Sequence, residues 1–164
     1  MLNVQTEKQY IEIVEKYADM IYRIAYQKVL NRYDAEDIVQ DVFVKLLSSK
    51  SYFRDEEHIK AWLIRVTINL CINYNKSLAR QKTVSVEQLD IPFTQQETGV
   101  LEELYLLPED ERNILYLYYY EGYKIREIAK ILRQKQNTIN SKLTRARNKL
   151  KRIMETSYEK SSIN

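Results

Sequence analysis

This chain holds one cysteine, one histidine, two glycines and two prolines, so it is nearly bare of the residues that staple, ligate or sharply turn a backbone. Cys71 cannot form an intrachain disulfide, which fits a reducing compartment, and its neighbours Leu70 and Ile72 mark it as a small buried residue rather than a reactive thiol. His58 stands beside Asp55, Glu56 and Glu57, but one imidazole at a helix start reads as a surface or capping residue, so no metal site is expected. The shortage of glycine and proline argues against a many-stranded fold with hairpin turns and for an all-α one. No apolar run has transmembrane length, and MLNVQTEKQY lacks a signal-peptide core; a cytoplasmic protein without membrane insertion is expected. There is no Ser/His/Asp, Cys/His or phosphate-loop arrangement, so neither an enzyme nor a cofactor is expected.

What the chain does have is tyrosine and an uneven distribution of charge. Fourteen tyrosines supply much of the aromatic bulk, each able to bury its ring while its hydroxyl stays wet, as suits small amphipathic cores. The 164 residues suffice for one medium domain or two small ones. Net charge is only +3, yet residues 123–152 contain eleven basic side chains against Glu127 alone. Residues 1–80 are near balance, with twelve basic and eleven acidic side chains, and 81–98 carry Lys82 against Glu87, Asp90 and Glu97. The positive field is therefore concentrated near the C-terminus, where it favours a polyanionic partner.

That basic stretch carries two helical stripes. Ile125, Ile128, Ala129 and Leu132 mark a short helix; Ile139, Leu143, Ala146, Leu150 and Ile153 mark a second, and polar RQKQN turns between them. Two helices so tightly joined, with Lys142, Arg145 and Lys149 on outer faces of the second, read as a helix-turn-helix that lays its second helix in a DNA major groove. A helical hairpin with a merely solvated basic face would need no Asn137, Thr138, Asn140, Ser141 and Thr144 at the helix start. Such residues are poor helix formers but good partners for base edges and phosphates.

Upstream, Tyr10, Val14, Tyr17, Ala18, Ile21, Ala25 and Val29 predict a helix from Glu7 to about Leu30. Asp34, with Asp37 three residues on, predicts the cap of a helix reaching Leu47 that buries Ile38, Val39, Val42, Phe43, Leu46 and Leu47. Its other side groups Glu36, Asp37, Gln40 and Asp41 into one acidic surface. Helix-dipole complementarity explains the first two, and docking of a basic protein partner explains all four; a calcium hand would need a loop and glycine that are missing. After a polar connector at 48–57, a helix from Ile59 to about Arg80 has Ile59, Trp62, Leu63, Val66, Leu70 and Tyr74 as its inner stripe. Asn69, Asn73, Lys76 and Arg80 make an outer stripe whose amides can pair with exposed bases. Residues 81–99 have no apolar period and read as a flexible interdomain linker. Pro108 suits a first helical position, Glu109, Asp110 and Glu111 complement the dipole, Ile114, Leu115, Leu117 and Tyr118 supply a buried face, and Gly122 a C-cap. The tail ETSYEKSSIN reads as frayed.

Three segments, DAEDIVQDVF at 34–43, AWLIRVTINLCINY at 61–74 and LPEDERNILYLYYYEGYKIREIAKIL…NTINSKLTRARNKL at 107–150, resemble in wording and order the extracytoplasmic-function (ECF) sigma factors of the sigma-70 family, over roughly residues 10–152. The resemblance implies two small helical domains: 1–80 as a region 2 domain, 81–99 as linker and 100–164 as a region 4 helix-turn-helix domain. It implies docking of Glu36, Asp37, Gln40 and Asp41 on the β′ clamp helices of core RNA polymerase. It further implies capture of unstacked −10 bases by Asn69, Asn73 and Lys76, with Arg80 on the phosphates, and −35 recognition by Thr138, Asn140, Ser141, Lys142, Thr144, Arg145 and Arg147. Core polymerase, including its β flap, promoter DNA and an anti-sigma factor are the implied partners. The chain departs from the family pattern at Arg133 and Gln134, where a glycine and an apolar residue are usual, at Tyr118, where a basic residue is frequent, and at Asn140, where Arg or Lys is common. The rival readings are a stand-alone helix-turn-helix regulator, which gives residues 1–80 no reason for their faces, and a helical scaffold, which gives the basic stretch none.

Overall fold

The computed structural model describes Val4, residues 6–81 and residues 103–163, the side chains of 79–81 excepted. The chain separates into two compact units, Met1–Asp90 and Ile91–Asn164, and among the described residues every element is a helix. The predicted linker lies, except for the helical backbone at 81, outside the described residues.

The first unit is a bundle of α1 (Glu7–Val29), α2 (Arg32–Ser48) and α3 (Glu56–Gln81), each packed on the other two. Thr6 caps α1 by accepting the Gln9 N–H at 3.2 Å. The turn into α2 is two residues long: Leu30 takes the left-handed conformation (φ 53°), and Asn31 returns to extended backbone and accepts the Asp34 N–H at 3.1 Å. Asn31, not Asp34, is thus the cap, and α2 begins two residues earlier than the apolar pattern predicts. Similarly, Asp55 accepts the His58 N–H at 2.8 Å and starts α3 at Glu56 rather than Ile59. His58 is a capping residue in its own right, since its Nδ1 accepts the Arg54 N–H at 3.2 Å.

The core of this unit is wider than single stripes foretell. Ile21, Ile24, Ala25 and Tyr26 of α1 meet Ala35, Ile38, Val42 and Leu46 of α2 and Leu63, Ile64, Thr67 and Cys71 of α3. The predicted inner stripe of α3 is displaced: Ile59 and Leu63 are buried, but Trp62, Val66, Leu70 and Tyr74 are only half-buried, because α3 sits between two helices and buries the side carrying Ile64, Thr67, Ile68 and Cys71. Buried Thr67 is satisfied by donating to the Leu63 carbonyl at 2.7 Å. Leu47, expected inside, is 59% exposed, while Phe53 of the connector is fully buried, with its ring edge-on to Trp62 and His58.

In the second unit, Pro108 stands just before α4 (Glu109–Leu115) as its cap rather than inside it. α4 widens directly into a π turn, Tyr116–Tyr120, which the sequence does not announce. Gly122 at φ 74° then reverses the chain, and the Tyr123 N–H bonds the Leu117 carbonyl at 3.0 Å, as expected of a glycine C-cap. α5 (Ile125–Leu132) and α6 (Gln136–Ser161) follow at once, α6 continuing to Ser161 within the tail read from sequence as frayed. Ile114, Leu117, Ile128, Ile139, Leu143 and Ala146 form the core joining the three helices. Between α5 and α6, Arg133 adopts φ 53° and the Gln134 N–H bonds the Ala129 carbonyl at 2.9 Å. A left-handed residue there lets the chain reverse in the three positions 133–135, shorter than the predicted five.

Candidate nucleic-acid and protein interfaces

On α2, three of the four residues predicted for protein docking, Asp37, Gln40 and Asp41, are exposed. Glu36 is half-buried and turned along its own helix, where it accepts from Arg32 Nε at 2.9 Å. Asp34 is bonded by the Tyr74 hydroxyl of α3; burial, that hydrogen bond and the charges of Asp34 and Asp37 hold the phenol well above its usual value, so Tyr74 stays a donor. The bond locks the acidic helix to α3. On α3, Asn69, Asn73 and Lys76 are all exposed on one stripe, with half-exposed Ile72 between them. Seven residues at 1.5 Å rise spread them over about 10 Å. The backbone of Arg80 continues that helix, and its side chain lies outside the described residues. Two inward contacts fix the pose of α3. Asn75 Nδ2 donates to the Lys28 carbonyl at 3.2 Å, and Glu56, hydrogen-bonded by Lys16 and by the Tyr17 hydroxyl (2.7 Å), has its carboxyl pulled below the usual range.

In the second unit, α6 presents Thr138, Asn140, Ser141, Thr144, Arg145 and Arg147 to solvent. Of the outer-face cations read from sequence, Lys149 is exposed and Lys142 only half-buried, and both reach back to α4: Lys142 Nζ lies 3.2 Å from Asp110 and 3.2 Å from Gln134 Oε1, and Lys149 Nζ 2.9 Å from the buried Glu111. Their acidic partners are 32 and 38 residues away, a separation with no period in the sequence. The acidic first turn of α4 thus anchors α6 as well as complementing its own dipole. Arg112 fixes the segment preceding α4, donating from Nη1 to the Tyr105 carbonyl at 3.0 Å. Arg147 Nε donates to the Tyr119 hydroxyl at 2.6 Å, a partnership that the tyrosine run alone does not reveal. Among the described residues no cluster of three His, Cys, Asp or Glu side chains forms a metal site, and no helix is long and apolar enough to cross a membrane.

A three-helix bundle with an acidic outer face, followed by a unit in which a short turn sets α5 against an exposed, base-compatible α6, defines a helical protein of the helix-turn-helix class. The comparisons identify it further. Residues 13–81 match Sigma-70 region 2 and residues 100–150 match Sigma-70, region 4. The chain is similar to RNA polymerase sigma factor SigV of Bacillus subtilis (30% identity, covering 92% of this chain and 93% of the relative). It is similar also to ECF RNA polymerase sigma factor SigM of the same organism (28% identity, 87% and 93% covered). In fold it resembles the sigma factor RpoE of Bartonella quintana, solved in complex with the anti-sigma factor NepR, at a TM-score of 0.72 and 21% identity over 90% of this chain and 98% of that one. The chain belongs to the sigma-70 family, in its ECF group. Proteins of this family are initiation factors, not catalysts, and their region 2 and region 4 domains bind core RNA polymerase and promoter DNA.

Proposed function

We propose that this chain directs core RNA polymerase to its promoters and helps open them, with residues 1–80 acting as the polymerase-docking and −10 domain, 81–99 as linker and 100–164 as the −35 domain. The observation that carries the reading is the division of exposed chemistry between the units: acid on α2 and amides on α3 in one, basic and hydrogen-bonding side chains on α6 in the other. Asp37, Gln40 and Asp41, with Glu36 at their edge, dock on the basic surface of the β′ clamp helices, and the second unit engages the β flap. Asn69, Asn73 and Lys76 take up bases of the separated −10 strand, and Arg80 follows its phosphates. Because unpaired bases offer edges and faces that duplex DNA hides, binding them preferentially drives opening without bond chemistry. Thr138, Asn140, Ser141, Thr144, Arg145 and Arg147 face the −35 duplex, and Lys142 steers the N-terminal half of α6 through its ties to Asp110 and Gln134.

The protein works in the cytoplasm, where polymerase works, and an anti-sigma factor, such as the one bound to RpoE in the similar structure, holds it inactive until a signal arrives. Transcription in vitro from genomic fragments by purified core polymerase, with and without the chain, tests the reading. New initiation sites that require the chain are the expected result. Duplex binding without any association with core polymerase would restore the stand-alone regulator.

A further inference from the structure

The π turn Tyr116–Tyr120 carries Tyr118 half-buried and Tyr119 exposed, their rings edge-to-face with centres 4.9 Å apart. Tyr116 stacks on Tyr120 at 5.0 Å and bonds Glu121 through its hydroxyl at 2.8 Å, which stiffens the turn from within. Against this aromatic pair lies Arg147 of α6. Its guanidinium carbon is 5.1 Å from the Tyr118 ring centre and 5.4 Å from that of Tyr119, and Nε donates to the Tyr119 hydroxyl at 2.6 Å.

Of the five guanidinium N–H donors, the one on Nε bonds Tyr119 and the Tyr118 hydroxyl is a second hydrogen-bonding partner, so the group is oriented by two phenols and their rings with donors left over. Arg147 falls on one stripe of α6 with Asn140 and Thr144, seven and three residues before it. At 1.5 Å per residue it stands about 10 Å beyond Asn140 along the axis. A helix whose first turns read bases in a groove about 12 Å wide places a side chain that far along at the groove's wall, where phosphates lie. A planar fork held in place suits a phosphodiester, and a tyrosine hydroxyl beside it can share the same oxygen.

We propose that Tyr118 and Tyr119 are positioning residues that hold Arg147 as a clamp for one DNA phosphate at the rim of the groove entered by α6. The clamp rests on the −35 reading given above. Its contribution is to affinity and register and not to base choice.

The test uses the full-length chain and a labelled mixed-sequence 30-base-pair duplex, with affinity followed from about 50 to 200 mM salt, the range over which phosphate contacts are read out. Arg147→Ala should lower the log–log salt slope by about one. Tyr119→Phe should weaken binding about fivefold, the equivalent of one lost hydrogen bond, and should cost nothing further when added to Arg147→Ala. Arg147→Lys should not restore wild-type affinity, because an ammonium cannot keep the phenol bond and offer a fork at once. Unchanged salt slope in Arg147→Ala, or additive losses in the double variant, overturns the clamp. If those results come while Arg145→Ala still weakens binding, the clamp alone falls. If the wild-type chain shows no salt-dependent duplex binding at the lowest salt, both the clamp and the −35 reading fall.

Discussion

Arg133 holds a left-handed backbone at φ 53° in the turn of the helix-turn-helix, where its side chain is exposed. A Cβ in that region costs roughly 1–2 kcal/mol, of which glycine would give back part in the entropy it loses on folding. Arg133→Gly should therefore raise the stability of the second unit by about 0.5–1 kcal/mol. Urea unfolding followed by far-ultraviolet circular dichroism will show it as a higher midpoint, while fluorescence of Trp62, the only tryptophan and a member of the first unit, stays unchanged. A lower midpoint would mean that the Arg133 side chain earns more than its backbone costs. Arg145 is exposed two turns into α6, and Arg145→Ala should lose about 1–3 kcal/mol of −35 discrimination, the worth of one bidentate base contact. Unchanged promoter selectivity in a competition assay would remove it from the readout set.

Among the elements, α3 depends on how its first turn is held to α1. The Glu56 carboxyl is lowered because Lys16 and the Tyr17 hydroxyl bond its charged form, so it contributes stability at neutral pH, above the unfolded value of about 4.3. That contribution is lost as pH falls through the lower folded value. The ion pair is half exposed and water screens it, so its worth is under about 1 kcal/mol. Glu56→Gln should lower the Trp62-monitored urea midpoint at pH 7 and converge with wild type in acid; a gap independent of pH would assign the loss to packing instead. For α2, reversing Asp37 and Asp41 to lysine should reduce co-elution with core polymerase and leave duplex binding by the same chain intact. Since both carboxylates are exposed, the fold should tolerate the change, and a joint loss of both activities would indicate misfolding. The helical character of each element was legible because its apolar residues recur at helical spacing. The first residues were less so, since Asn31 and Asp55 cap through single side-chain-to-backbone bonds that leave no period behind. The π turn had no sequence signal beyond its run of tyrosines.

Across the whole molecule, two units on one chain make a joint requirement: separating them by cleavage within 82–99 should abolish promoter-directed transcription while the N-terminal piece still competes with the intact chain for core polymerase. A fully active cleaved mixture would show that the tether is dispensable. The sequence by itself determined the all-α class, the clustering of positive charge at 123–152 and the exposure of Asp37, Asn69, Asn73 and Asn140, because helical spacing and local charge are properties of neighbours in the chain. Only the tertiary structure decided which side of α3 is buried, that Phe53 leaves its polar connector for the core, that Lys142 and Lys149 turn back onto α4, and that Arg147 rests on Tyr119. Each of those outcomes depends on how one segment of the chain packs against another, and which partner a long side chain finds is set by that packing, not by the spacing of residues along one helix.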